Sequence, residues 1–157
     1  MNSRFLSGKE KRDIFSKMKD QYDIDIVPNV ELVESGKGKV WMVTKNINKI
    51  DTLKLNIERY GVYAIFIDKY GVRFTIEGTQ IFGQFAKKNI FEIKKEDVQK
   101  WIRGFDLDIE TGTNGYVMVK CGEDYLGCGK GSHGRIQNYI PKSRRILRLR
   151  EDAIENI

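Results

Sequence analysis

The chain has 157 residues, 40% apolar and 32% charged, enough for one ordinary globular domain or two small ones packed together. A net charge of +6 and a pI near 9.2 favour nucleic acid or another acidic partner. No apolar run approaches the ~18 residues of a membrane helix, and the opening MNSRFLSGKEKRD has no signal-peptide core, so a cytoplasmic protein is expected.

Ser7 with Glu10 three residues on is a capping-box pattern, and Ile14, Phe15, Met18 and Tyr22 follow at helical spacing. This predicts an amphipathic helix over residues 8–22. Its outer face (Lys9, Lys11, Arg12, Lys17, Lys19) is basic, which suits a solvated surface or an auxiliary RNA contact. Ile24 to Leu32 reads as extended, broken by Pro28, which cannot donate to a ladder. Ser35-Gly36-Lys37-Gly38 makes a turn into a strand over residues 39–44, and residues 46–55 suggest a helical crossover. The run VYAIFI (Val62 to Ile67) predicts a central strand buried on both faces. Asp68 to Gly71 turns it into a return strand over 72–77. Residues 79–86 suit a short helix or tight turn, 89–93 a strand, and 96–103 a helix with Val98, Trp101 and Ile102 inward, stopped by Gly104. With no Pro/Ser-rich linker, a boundary near residue 93 divides a mixed α/β unit (1–93) from a basic β unit (94–157), packed rigidly together.

The stretch from Gly115 to Arg150 organises the second unit. Apolar runs at Tyr116–Val119, Tyr125–Cys128 and Ile136–Ile140 predict strands, with turns at 122–124 and 129–134. From Tyr125 to Arg150 there are seven cations (Lys130, Arg135, Lys142, Arg144, Arg145, Arg148, Arg150) and no Asp or Glu. Unneutralised Arg on glycine-turned strands is the pattern of a polyanion surface, because guanidinium groups bind phosphate bidentately and stack on bases. Asn138 and Tyr139 would add base-edge and stacking contacts; the alternative for Tyr139 is core packing. Lys120 on the first strand, and Lys87 and Lys88 across the domain junction, complete the candidate RNA contacts.

Catalysis has less to stand on. His133, the sole histidine, sits in a glycine turn without an evident partner. The run Gly127 to Ser132 lacks P-loop spacing, since Gly131 follows Lys130, and no strand–turn–helix frames a dinucleotide fingerprint. Asp106, Asp108 and Glu110 alternate as on one strand face, where they would guard a sheet edge or hold a cation. Cys121 and Cys128 lack zinc-site spacing and are expected to be buried, reduced thiols. The chain is therefore expected not to be an enzyme and to need no cofactor.

The segment GYVMVKCGEDYLGCGKGS (Gly115 to Ser132) resembles the second half of PUA domains: an apolar strand, an acidic turn, then an LG-x-G strand at Leu126 to Gly129. Its continuation, GRIQNYIPKSRRI (Gly134 to Ile146), resembles the abbreviated PUA-like tails of Sun-family rRNA cytosine methyltransferases. In the first half, Phe5 to Met18, Lys39 to Ile47 and Ile81 to Lys87 resemble the pre-PUA half of the Nip-seven ribosome-biogenesis family. These resemblances imply an α+β protein in which a pre-PUA unit packs on a small PUA-like β-barrel. They imply binding of structured RNA, rRNA or tRNA, in ribosome assembly or RNA modification, with ribosome-assembly or RNA-processing proteins as further partners. No S-adenosylmethionine motif accompanies them, so methyl transfer by this chain is not implied. The rival expectation is a protein-interaction adaptor that works without touching RNA.

Overall fold

The computed structural model describes residues 3–45 and 61–146. The crossover expected at 46–55, and Arg148 and Arg150 of the cationic tail, lie outside the described residues. A short strand β1 (Ser3–Phe5) leads into helix α1 (Gly8–Tyr22), and the capping box forms as the sequence requires. Ser7 Oγ accepts from the Glu10 N–H at 3.1 Å while the Glu10 carboxylate accepts from the Ser7 N–H at 3.0 Å. Bonds from Arg4 and Ser7 hold the Glu10 carboxyl down at about 2. Ile14, Phe15, Met18 and Tyr22 are the buried face of the helix. Each stabilises by roughly 1.5–3 kcal/mol through the apolar surface it removes from water.

That face lies on a five-stranded antiparallel sheet in the order β1-β2-β3-β4-β5. The strands are β2 (Val30–Ser35), β3 (Lys39–Thr44), β4 (Val62–Asp68) and β5 (Gly71–Phe74). β4 lies inside the sheet, between β3 and the edge strand β5, but is not buried on both faces as its composition suggested. A register shift opposite Val40/Trp41 leaves Ala64 without a partner on β3, and Ala64 and Ile65 both belong to the core. Tyr63 pairs with Trp41 and Phe66 with Lys39, and both stay partly exposed. The return strand is shorter than expected. Thr75 Oγ1 accepts from the Gly78 N–H at 2.9 Å and caps α2 (Ile76–Phe82), so the helix begins where alternation suggested strand and ends before residue 86.

The second sheet runs β6-β7-β8-β9. It takes its first strand, β6 (Ile90–Glu92), from just ahead of the boundary expected near residue 93. β6 pairs parallel with β7 (Tyr116–Cys121), and the crossover between them carries α3 (Lys95–Ile102). β8 (Asp124–Ser132) continues through the glycines expected to form a turn, and the chain reverses only at His133-Gly134, both at positive φ, before β9 (Arg135–Asn138). The glycines of β8 are there for close approach: a Cβ at Gly129 would strike the Gln137 carbonyl and the Trp101 ring. Residues 106–110 form no strand. Leu107 alone bridges to Ile136, Asp106 turns back to the Asn138 N–H, and Glu110 accepts from the Gly112 N–H, so the three carboxylates do not share a strand face. Among the described residues the sheet does not close into a barrel.

The two sheets share hydrophobic interior. Met118 and Cys128 of the second sheet belong to the core beneath α1, while Val117, Val119, Cys121 and Ile136 pack on the other face with Trp101 and Val98. α2 is wedged between them. A Cβ at Gly78 would meet the Ala64 carbonyl of β4, one at Gly83 just beyond would meet the Tyr125 ring of β8, and Thr79 Oγ1 accepts from the Gly127 N–H at 3.1 Å.

Candidate nucleic-acid interface

The expected cations divide by what they touch. Arg135 pairs with Asp106 at 3.6 Å, and Arg144 pairs with Glu77 at 2.6 Å. Arg145 donates from Nε to the Ile140 carbonyl at 3.0 Å, over Gly104, whose φ of +98° and missing Cβ make room for it. The acid-free tail is thus not acid-free in space. Asn138, expected to read a base edge, is engaged by the fold: its Nδ2 donates to the Trp101 and Phe105 carbonyls at 2.7 and 3.0 Å, and its Oδ1 accepts from the Ile140 N–H at 2.8 Å. Lys87 and Lys88 are exposed, but their backbone N–H groups donate to the Tyr22 carbonyl at 2.9 and 3.3 Å, which places them at the C-terminus of α1 beside Asp23. Lys120 lies 5.5 Å from the Tyr125 ring centre, and Lys142 is exposed in a 3-10 turn after Pro141.

Lys130 leads somewhere else. Its ammonium sits 4.6 Å from the centre of the Tyr70 ring, and Lys69 sits 5.1 Å from the same ring. Tyr70 is 47% exposed and meets Tyr116 edge-on at 6.2 Å; Tyr116 meets Tyr139 edge-on at 5.6 Å. The guanidinium of Arg73 lies 5.7 Å from the Tyr116 ring, 5.2 Å from Tyr139 and 4.6 Å from Phe66. Tyr116 donates its hydroxyl to Asp68 at 2.5 Å; burial first, and that carboxylate second, push its pKa well above the ordinary tyrosine value. Beyond Arg73 the outer face of the first sheet presents Lys39 beside Tyr63, and Tyr63 stacked on Trp41 at 5.6 Å. Rings and cations therefore form one band from the β8–β9 side across β5 to β3. Tyr139, for which core packing was the alternative, is half-exposed at the middle of it.

Sequence reading missed Lys39, Trp41, Tyr63, Lys69, Tyr70 and Arg73, all in the first unit. A signal was present: Lys39 and Trp41 alternate with Val40 and Met42, and Arg73 stands between Val72 and Phe74, so a polar-aromatic face opposes a core face. Those positions read as the ordinary wet side of a sheet because the partner surface comes from residues far along the chain.

Residues 88–146, which supply the whole second sheet, match the family model described as the methyltransferase RsmF PUA domain. That segment is similar to a PUA domain. Residues 3–52 match a domain of unknown function, DUF1947, in the place where a pre-PUA unit is expected. The chain is also 25% identical over 143 residues to the ribosomal RNA small subunit methyltransferase F of Vibrio parahaemolyticus, an alignment covering 87% of this chain. It spans only 29% of that relative's length. The resemblance to PUA domains and to the Sun-type tail thus holds, with an open sheet among the described residues.

Proposed function

We propose that this protein docks structured RNA, rRNA or tRNA, across the seam between its two sheets, as an accessory factor in RNA modification or ribosome assembly and not as a catalyst. The observation that carries the reading is the band built on Lys69, Tyr70, Lys130, Arg73 and Tyr139, whose cations lie against rings and have no carboxylate within ion-pair distance among the described residues. Such cations are available to phosphates, and the rings between them to unstacked bases. The methyltransferase named by the relative acts on ribosomal RNA, and the matched domain is of the RNA-binding PUA type, which supports the same direction. Cys121 and Cys128 are free buried thiols in separate cores, in keeping with the cytoplasm as the site of action.

Binding of a labelled rRNA hairpin, followed by fluorescence anisotropy against salt, tests the reading. Removing two phosphate contacts in a Lys69→Glu/Lys130→Glu variant should weaken binding at low salt by about ten-fold or more and flatten the log–log salt slope by about 1.4–1.8. Unchanged affinity with unchanged melting would refute the seam as the RNA surface. A protein-interaction adaptor is the second reading, favoured by Phe105 and Ile146, large apolar residues 54% and 44% exposed near the end of α3. Partner binding indifferent to salt would select it.

A further inference from the structure

The seam contains a groove as well as a surface. Between the outer face of the first sheet and the segment after β9 lies a depression of about 720 Å³. Lys39, Trp41, Tyr63 and Arg73 line one wall, and Tyr139 and Arg144 the other. Its volume falls in the ~300–1,000 Å³ range of small-molecule sites. Two donors in its walls have no acceptor. The Arg73 Nε and the Trp41 Nε1 are both buried and form no hydrogen bond. A buried donor left unsatisfied is costly, and a charged one more so, and the rings around Arg73 offset only part of that. Glu77 is the carboxylate in the lining, and Arg144 already holds it. The groove is therefore rich in cations and flat aromatic faces and poor in free acceptors. Its complement is flat, anionic and rich in acceptors.

We infer that this groove receives a single unstacked nucleotide of the bound RNA, with its base against the Trp41–Tyr63 ring pair and its phosphate at Arg73 and Lys39. The inference rests on the RNA-binding reading above and adds what that reading lacks: a preference for an unpaired base over a continuous duplex. Base stacking on an aromatic side chain contributes ~1–3 kcal/mol, about thirty-fold in affinity at its middle. Tyr63 and Trp41 stack within 27° of parallel at 5.6 Å, so a base can extend the stack on its free face, and the Trp41 indole N–H is left without an acceptor.

Tryptophan emission gives a direct readout. Trp101 is fully buried, so quenching by a stacked base reports on Trp41. Three RNAs are compared: a hairpin with an unpaired loop, the same hairpin with abasic loop positions, and a duplex of equal length. The looped hairpin should quench emission and bind about thirty-fold more tightly than the other two. Trp41→Phe, which keeps a ring and removes the donor and the fluorophore, should abolish the quenching and narrow the preference; Tyr63→Leu, which leaves Trp41 in place, should narrow it further. Equal binding of all three RNAs without quenching would overturn the groove assignment and leave surface binding standing. Failure of every RNA to bind at low salt would overturn both. Adenosine monophosphate is the control for source: quenching by it, with none by the looped hairpin, would overturn the assignment to RNA.

Discussion

At the scale of single residues, chemistry that looked functional divides into groups that hold the fold and groups that remain available. Asn138 holds the fold. Its side chain joins β9 to the end of α3 through Trp101 and Phe105 and fixes the exit of the chain at Ile140. Asn138→Ala leaves those backbone groups without partners and should destabilise by about 1–3 kcal/mol in urea titrations, while RNA affinity of the folded protein stays at the wild-type value. Cys128 is the second case. Burial pushes its thiol up to about 12, against an ordinary value near 9. The folded state keeps the proton that the unfolded chain releases, so this contribution is whole below about pH 9 and is lost between 9 and 12. Over pH 9–11 the wild type should lose stability more steeply than Cys128→Ala, by up to ~1.4 kcal/mol per pH unit. Parallel curves would show that the thiol does not titrate with unfolding.

At the scale of elements, α2 decides the geometry of the seam. It is short, and it fits because glycine faces β4 where a side chain would strike the Ala64 carbonyl. Gly78→Val should cost about 1–3 kcal/mol by overpacking and should also weaken RNA binding, because β5 and β8 could no longer hold Arg73 and Lys130 on one surface. Loss of stability with the affinity of the folded fraction intact would show that the seam tolerates movement of the helix. Here sequence reading was partly right for a physical reason. The capping box of α1 and the alternation in β3 act within a few residues and are visible in order along the chain. The start of α2 was misplaced because Val72 to Glu77 alternates like a strand, whereas the Thr75 cap and the contact of Gly78 with β4 select helix.

At the scale of the whole molecule, the two halves are not independent bodies. Met118 and Cys128 of the second sheet are buried in the core under α1, so separating the halves would expose both. A single cooperative thermal transition is expected, with calorimetric and van't Hoff enthalpies equal and near- and far-ultraviolet dichroism lost together. Two resolved transitions would show that the shared core contributes little. The same arrangement explains why the proposed RNA surface crosses the boundary expected near residue 93: the side chains that form it hang on strands that the shared core locks side by side.

Sequence by itself determined the local structure, the basic balance and the PUA-like signature, since these depend on residue type and on neighbours a few positions away. It also placed most of the strands, because alternation is a local record of which side faces the core. Tertiary structure alone decided which cations are free. Arg144 meets Glu77 across 67 residues and Asn138 meets Trp101 across 37, and pairings at that separation leave no mark in local periodicity. Tertiary structure also brought Arg73 under Tyr139 and so moved the proposed RNA site from the tail to the seam, because a surface made by two sheets exists only once both have packed.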